Sequence, residues 1–239
     1  AEPAQALDEP SPLINYTFAD AANGVISDVS GNGNDGQIKG EGISVEDGEL
    51  RLPGGNWNGG NGAYVEVPSA DLVGKDSLTV SIWLKNEMGA GNYAAASIGN
   101  VQVNKGYWLL NPSNLQGVIK SVVTQATTDN PSGTPYYTEV GSGGTNDPTN
   151  GHKSTSSMAM YTTVIDKASG HTSFYFNGEK VSEVETAAGI GDYGSSEEVL
   201  KAYLGRSSYS DVFFKGLIGK YEVYGEGLRD SAVASLYAA

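Results

Sequence analysis

The first residues with chemical potential lie between Ser27 and Gly40, in SDVSGNGNDGQIKG. Asp28, Ser30, Asn32 and Asp35 place side-chain oxygens close together, the ligand type that a hard cation such as calcium takes, and Gly33 permits the sharp bend of a loop. Asp28-x-Ser30-x-Asn32-Gly33 matches the opening of a calcium loop. Lys39, however, stands where a bidentate Glu would complete it, and no flanking helices are signalled. The same residues also make an ordinary solvated Asn/Gly turn between strands. Gly31-x-Gly33-x-x-Gly36 has the spacing of a dinucleotide fingerprint, but Gln37-Ile38-Lys39-Gly40 is too short for the helix that must receive the pyrophosphate. That match is chance.

A second set of residues suits sugars, which are bound by aromatic faces against their C–H surfaces and by planar polar groups reaching their hydroxyls. Trp57 sits in GGNWNGGNG, too polar and Gly-rich for a buried strand. Tyr136 and Tyr137 fall in a long irregular stretch, residues 127–154, together with Asn130 and Asp147. RSSYSDVFF offers Arg206, Tyr209 and Asp211, and the guanidinium of Arg206 can fork onto paired hydroxyls. Trp83 and Trp108 fall within regular strands instead. Trp83 is expected in the core, and Trp108 suits a core or a binding platform equally.

Composition narrows the chemistry further. The chain has 28 Asp and Glu against 14 Lys and Arg, a formal net charge of −14. Nucleic acid and anionic membrane surfaces are therefore poor partners, because both draw on cationic side chains. No run approaches the roughly 18 apolar residues of a membrane-spanning helix. There is no cysteine, which removes thiolate metal sites, a thiol nucleophile and disulfides together. His152 and His171 are the two histidines, each beside a turn signal, and leave little scope for His-dependent catalysis. No Gly-x-Ser-x-Gly elbow occurs. With 33 Gly and 14 Tyr, the usage is that of a β-rich chain with many turns, and it suits a bacterial secreted protein.

The elements that must carry these groups read almost entirely as strands. SLTVSIWLKNE alternates, with Leu78, Val80, Ile82 and Leu84 on one face. ISVEDGELRL is a hairpin about Asp47-Gly48, and HTSFYFNGEKVSEV carries a turn at Asn177-Gly178. Lys167-Ala168-Ser169-Gly170 links two further strands. Only LRDSAVASLYAA reads as helix, with Leu228, Val233 and Leu236 on one side. About a dozen strands with turns between them predict an antiparallel two-sheet sandwich with a short C-terminal helix. Residues 1–12 read as a linker or a mature N-terminus and residues 13–239 as one domain.

YTFADAANGVISDVSGNGNDGQIKG resembles the opening of the laminin G-like, concanavalin A-like jelly rolls attached to bacterial secreted glycosidases. SLTVSIWLK, TSFYFNGEKV and YLGRSSYSDVFFKGLIGKYEVYGEGLRDSAVASLYA are similar to later pieces of that family, in its order, so the resemblance spans about residues 13–238. Gly219 and Lys220 stand where the family usually has an acidic pair, and its Trp-His before the Val-Asp strand is missing from STSSMAMYTTVID. A metal site would then rest on the Asp28 loop or be absent.

Glucanases share this type of fold, and retaining hydrolysis needs two carboxylates roughly 5 Å apart. Their Glu-x-Asp-x-x-Glu strand is absent, and Glu183-Val184-Glu185 is the nearest approach to it. The resemblance thus implies a non-catalytic carbohydrate-binding module of a larger secreted or cell-surface glycosidase. Its expected partners are a glycan and an adjacent catalytic domain of the same chain, and it is expected to be a monomer without membrane insertion. Calcium is the expected structural ion, held by Asp28, Ser30, Asn32 and Asp35. The expected sugar contacts are Trp57, Tyr136, Tyr137, Arg206, Tyr209 and Asp211, at the loop rim or on the concave sheet. The alternatives are a spacer packed on a catalytic neighbour and a glycosidase with dispersed carboxylates.

Overall fold

A computed structural model describes residues 10–19, 21–125 and 138–239. Residues 1–9 of the expected linker, and Asn130, Tyr136 and Tyr137, lie outside the described residues. In chain order the strands begin with β1 (Ile14–Tyr16), β2 (Val25–Ile26), β3 (Gly36–Lys39), β4 (Ser44–Glu46) and β5 (Glu49–Gly55). They continue with β6 (Tyr64–Val67), β7 (Ser77–Asn86), β8 (Ala96–Asn100), β9 (Tyr107–Asn111) and β10 (Val118–Gln125). Next come β11 (Thr138–Ser142), β12 (His152–Lys153), β13 (Ala159–Asp166) and β14 (His171–Phe176). β15 (Glu179–Glu185), β16 (Leu200–Leu204) and β17 (Phe213–Tyr224) follow, and α1 (Asp230–Ala238) closes the chain.

These strands form two antiparallel sheets. The first has eight strands, in the order β15-β14-β13-β7-β17-β5-β4, with β1 taking over from β5 along the second half of β17. The second has nine, in the order β11-β10-β9-β8-β16-β6-β3-β2, with β12 on the early part of β10. Together with α1 this is the all-β sandwich of the jelly-roll class. Part of the irregular stretch expected over 127–154 is instead a strand: Thr138–Ser142 pairs with β10, although Gly141 and Gly143 dilute its apolar pattern.

The alternation in the sequence sets what is buried. Leu78, Val80, Ile82 and Leu84 point inward from β7 and meet Ile98, Trp108 and Leu110 from the opposite sheet. Each such side chain stabilises the fold by about 1.5–3 kcal/mol. Trp108 belongs to this core. Its Nε1–H donates to Ser121 Oγ at 3.3 Å, and Ser121 Oγ in turn shares a 2.6 Å hydrogen bond with Thr163 Oγ1 of the facing sheet. That partner is what allows an indole N–H to be buried.

Trp83 points the other way. It stacks on Tyr237 of α1 at 5.6 Å, in a second apolar cluster built from Met160, Val164, Tyr175, Leu228 and Val233. The helix therefore covers the outer face of the eight-stranded sheet. Two turns follow their sequence signals closely: Asp47-Gly48 and Asn177-Gly178 both have positive φ at each residue, as a two-residue hairpin of type I′ requires.

Candidate functional site

Among the described residues, no helix lies over the outer face of the nine-stranded sheet. Alternation along β9 sends Trp108 and Leu110 into the core and leaves Tyr107 and Leu109 facing outward, where they pack with Ala94 and Val122. Gly99, opposite Tyr107 on β8, makes this possible. A Cβ there would stand 2.4 Å from Tyr107 Cβ and 2.8 Å from the carbonyl of Gly106.

Above this floor lies a cavity of about 450 Å³. Tyr209 and Asp211 wall it from the segment before β17, Asn92 and Asn104 from two connections, and Lys120 and Glu139 from β10 and β11. A chain of hydrogen bonds runs across it. Tyr107 donates its only hydroxyl proton to Glu139 Oε1 at 2.6 Å, so the 2.8 Å bond between the hydroxyls of Tyr107 and Tyr209 must be donated by Tyr209. Lys120 forms an ion pair with the other oxygen of Glu139.

The titration behaviour of the groove follows from its burial. Desolvation, and then the neighbouring Glu139 carboxylate, push the Tyr107 phenol far above its usual range, so it stays a neutral donor. Burial also raises the carboxyl of Asp211, an effect that Lys120 only partly offsets. Asp211 accepts no hydrogen bond from any described residue. It is a desolvated acceptor aimed into a cavity.

The residues expected to bind sugar thus separate into two places. Tyr209 and Asp211 line the groove. Arg206 does not: it is 8% exposed, and its guanidinium lies 4.2 Å from the centre of Trp57, 4.7 Å from Tyr203 and 4.9 Å from Tyr64. Its Nε–H donates to the carbonyl of Ser207. Three rings and a carbonyl thus hold the guanidinium in place, a structural role beside Trp57. Trp57 remains 41% exposed beside it.

Tyr107, Glu139, Lys120 and Asn92 escaped the sequence reading. Tyr107 carried a signal, because GYW starts a strand with its aromatic on the face opposite the buried Trp. Glu139 and Lys120 carried none, since what matters is that their two strands pair. Neither histidine lines the groove: His152 stacks on Phe176 at 4.4 Å, and His171 faces the carbonyl of Ser169.

The Asp28 loop is held by its own hydrogen bonds. Oδ1 of Asp28 accepts the amides of Asn15 and Ser30, and Oδ2 accepts the amide of Asn34 and the hydroxyl of Ser30, all within 3.0 Å. Burial works to raise this carboxyl, but those donors outweigh it and hold it below the ordinary range. Asp35 Oδ1 accepts the amide of Asp28, and the Asn32 side-chain amide turns its N–H groups onto the carbonyls of Pro12 and Leu13. Four donors occupy the four lone-pair positions of the carboxylate. In this conformation the Asp28 carboxylate serves as a hub for the loop's own N–H and O–H donors. Among the described residues, no group of three or more His, Asp or Glu is placed to hold a metal. No helix among them is long and apolar enough to cross a membrane.

Comparison with known proteins adds a family. The family model described as "Concanavalin A-like lectin/glucanases superfamily" matches residues 58–234. No curated protein matches the sequence. Among solved structures, domain 4 of AbnA, a GH43 extracellular arabinanase from Geobacillus stearothermophilus solved in complex with arabinotriose, superposes with a TM-score of 0.71 at 21% identity. That alignment covers 96% of this chain and 100% of that one. The binding domain of botulinum neurotoxin DC in complex with SialylT gives a TM-score of 0.64 at 14% identity, over 95% of this chain and 51% of that one. The chain thus spans about half the length of the toxin binding domain. At these identities the likeness is one of fold.

Proposed function

This chain belongs to the concanavalin A-like lectin/glucanases superfamily, and from that premise we propose that it is a non-catalytic carbohydrate-binding domain. In this reading it serves within a larger secreted bacterial glycosidase and keeps the enzyme on its glycan. The observation that carries it is the groove on the outer face of the nine-stranded sheet, where the exposed ring of Tyr209 stands beside a carboxylate of Asp211 that accepts no hydrogen bond from any described residue. The ring offers a face for sugar C–H groups, and Asp211 accepts hydroxyl protons. Asn92 and Asn104 supply both donors and acceptors at the rim. The fold shared with one domain of an extracellular arabinanase supports the setting.

The carboxylates support the non-catalytic part. A glycosidase needs a matched pair, one of them free to protonate the leaving group. Glu139 is already committed to Lys120 and Tyr107, which leaves Asp211 without a free partner in the groove. Trp57 is proposed as a separate rim contact. Calcium is not part of the proposal.

A glycan array with the folded domain, including arabinotriose, tests the reading. Selective binding that is lost in Tyr209→Ala supports it and locates the site. Binding lost in Trp57→Ala but kept in Tyr209→Ala would move the site to the rim. A folded domain that binds no glycan would be a spacer.

A further inference from the structure

The groove does not end at the Lys120–Glu139 pair. A second cavity of about 540 Å³ continues on the far side and shares Asn92, Lys120 and Glu139 with the first. Its own lining is Asn114, Leu115 and Gln116 from the turn before β10, Thr138 of β11, and Gly143, Gly144 and Thr145 after it. Each lobe alone falls within the roughly 300–1,000 Å³ of small-ligand sites. Because three residues belong to both, the two lobes adjoin, and the ion pair lies where they meet.

Amide and hydroxyl groups along the two lobes both donate and accept, but the charge is lopsided. Tyr209 spends its proton on Tyr107, so its oxygen faces a ligand as an acceptor. Asp211 is an acceptor too. Lys120 is the one cation among the described lining residues of both lobes, and Glu139 already neutralises it. An anionic sugar would bring its carboxylate against Asp211 with no free positive charge to offset it. A neutral sugar brings hydroxyl donors, which are what the acceptors lack.

Resting on the carbohydrate reading above, we infer that the ligand is an internal run of a neutral oligosaccharide lying across both lobes, with the Lys120–Glu139 pair beneath its middle. Polar contacts of this kind contribute only about 0.5–1.5 kcal/mol each. Useful affinity must then accumulate along the chain, and a single sugar confined to one lobe gathers too few of them.

Calorimetry with the whole chain tests this, using neutral arabino-, xylo- and gluco-oligosaccharides from mono- to hexasaccharide and acidic oligogalacturonides of matched length. The expected result is no measurable monosaccharide binding, with affinity climbing through the neutral series that binds and reaching a plateau. Leu115→Ala with Gln116→Ala changes two exposed side chains of the second lobe. It should lower affinity for the longest neutral oligomer by at least about fivefold, the size of a contact worth ~1 kcal/mol, and so flatten the length series. A monosaccharide that binds as tightly as the hexasaccharide would overturn the inference, as would preference for the acidic series. Failure of every series to bind would overturn the carbohydrate reading and this inference with it.

Discussion

The hydroxyls of Tyr107 and Tyr209 lie 2.8 Å apart, with their rings edge-to-face at 5.5 Å. One tyrosine is fixed in β9 and the other stands on the segment between β16 and β17, so this contact pins a connecting segment to a strand. Tyr107 passes the link on to Glu139 and through it to Lys120. A ligand lying in the groove therefore meets a wall whose position is set by the sheet.

Removing the outer partner should cost binding more than stability. Tyr209→Ala deletes an exposed ring and leaves Tyr107 bonded to Glu139. Glycan affinity should fall by about fivefold or more, while unfolding free energy changes by less than ~1 kcal/mol. Tyr209→Phe keeps the ring and should lie between Tyr209→Ala and the parent. Calorimetry paired with urea unfolding reads both quantities, and equal losses in both would make Tyr209 merely structural.

Asp211→Asn should separate function from stability in the opposite sense. Burial raises the carboxyl of Asp211 in the folded chain above its unfolded value. The stability linked to this group is then fully present below the unfolded pKa and is lost as pH rises through the folded one. At neutral pH the native state carries a desolvated charge that the amide would lack. The substitution should raise the melting temperature at pH 7, bring no gain at pH 3, and weaken glycan binding. A melting temperature lowered at both pH values would show that Asp211 stabilises the fold through a contact.

The sandwich was legible because its signals are local and repeated. Leu78 to Leu84 alternate, Asp47-Gly48 and Asn177-Gly178 demand positive φ, and Val233 marks the helix face. On one side of the groove Tyr209 and Asp211 were legible as well, since they stand in a polar link between two strands. The other half was not, because Glu139 and Lys120 meet only through the pairing of β10 with β11, and pairing is a property of the sheet. The setting of Arg206 was hidden for a related reason: a guanidinium suits hydroxyls and aromatic faces equally. Only the fold brings Trp57, Tyr64 and Tyr203 around it. Gly99 looked like any other glycine, yet its missing Cβ is what seats Tyr107.

That cluster makes Arg206 a stability determinant. A desolvated guanidinium among rings is worth about 2 kcal/mol, and Arg206→Ala also loses the packing of its stem. Given roughly 2–4 °C per kcal/mol in a chain of this size, the melting temperature should drop by about 4–8 °C. Arg206→Lys should recover only part, because an ammonium cannot lie flat against Trp57 and donate to Ser207 at once. Full recovery with lysine, in a thermal melt, would leave charge alone as the cause.

Asp28 provides the test that separates a hydrogen-bond hub from an ion site. Its carboxylate collects the amides of Asn15, Ser30 and Asn34 and so ties β1 to the loop that enters β3. Asp28→Asn keeps the shape but turns an N–H₂ toward donors on one side, which should cost about 1–3 kcal/mol. Burial opposes ionisation here, yet the donors win and lower the folded pKa. The stabilisation is accordingly present above the unfolded pKa and fades as pH falls through the folded value. The gap between Asp28→Asn and the parent should be widest at neutral pH and shrink in acid. EDTA should leave the parent's melting temperature unchanged, since the four lone-pair positions of the carboxylate are already filled by the chain's own donors. A melting temperature that falls in EDTA and returns with added calcium would mean that the loop opens to take an ion, and the hub assignment would fail.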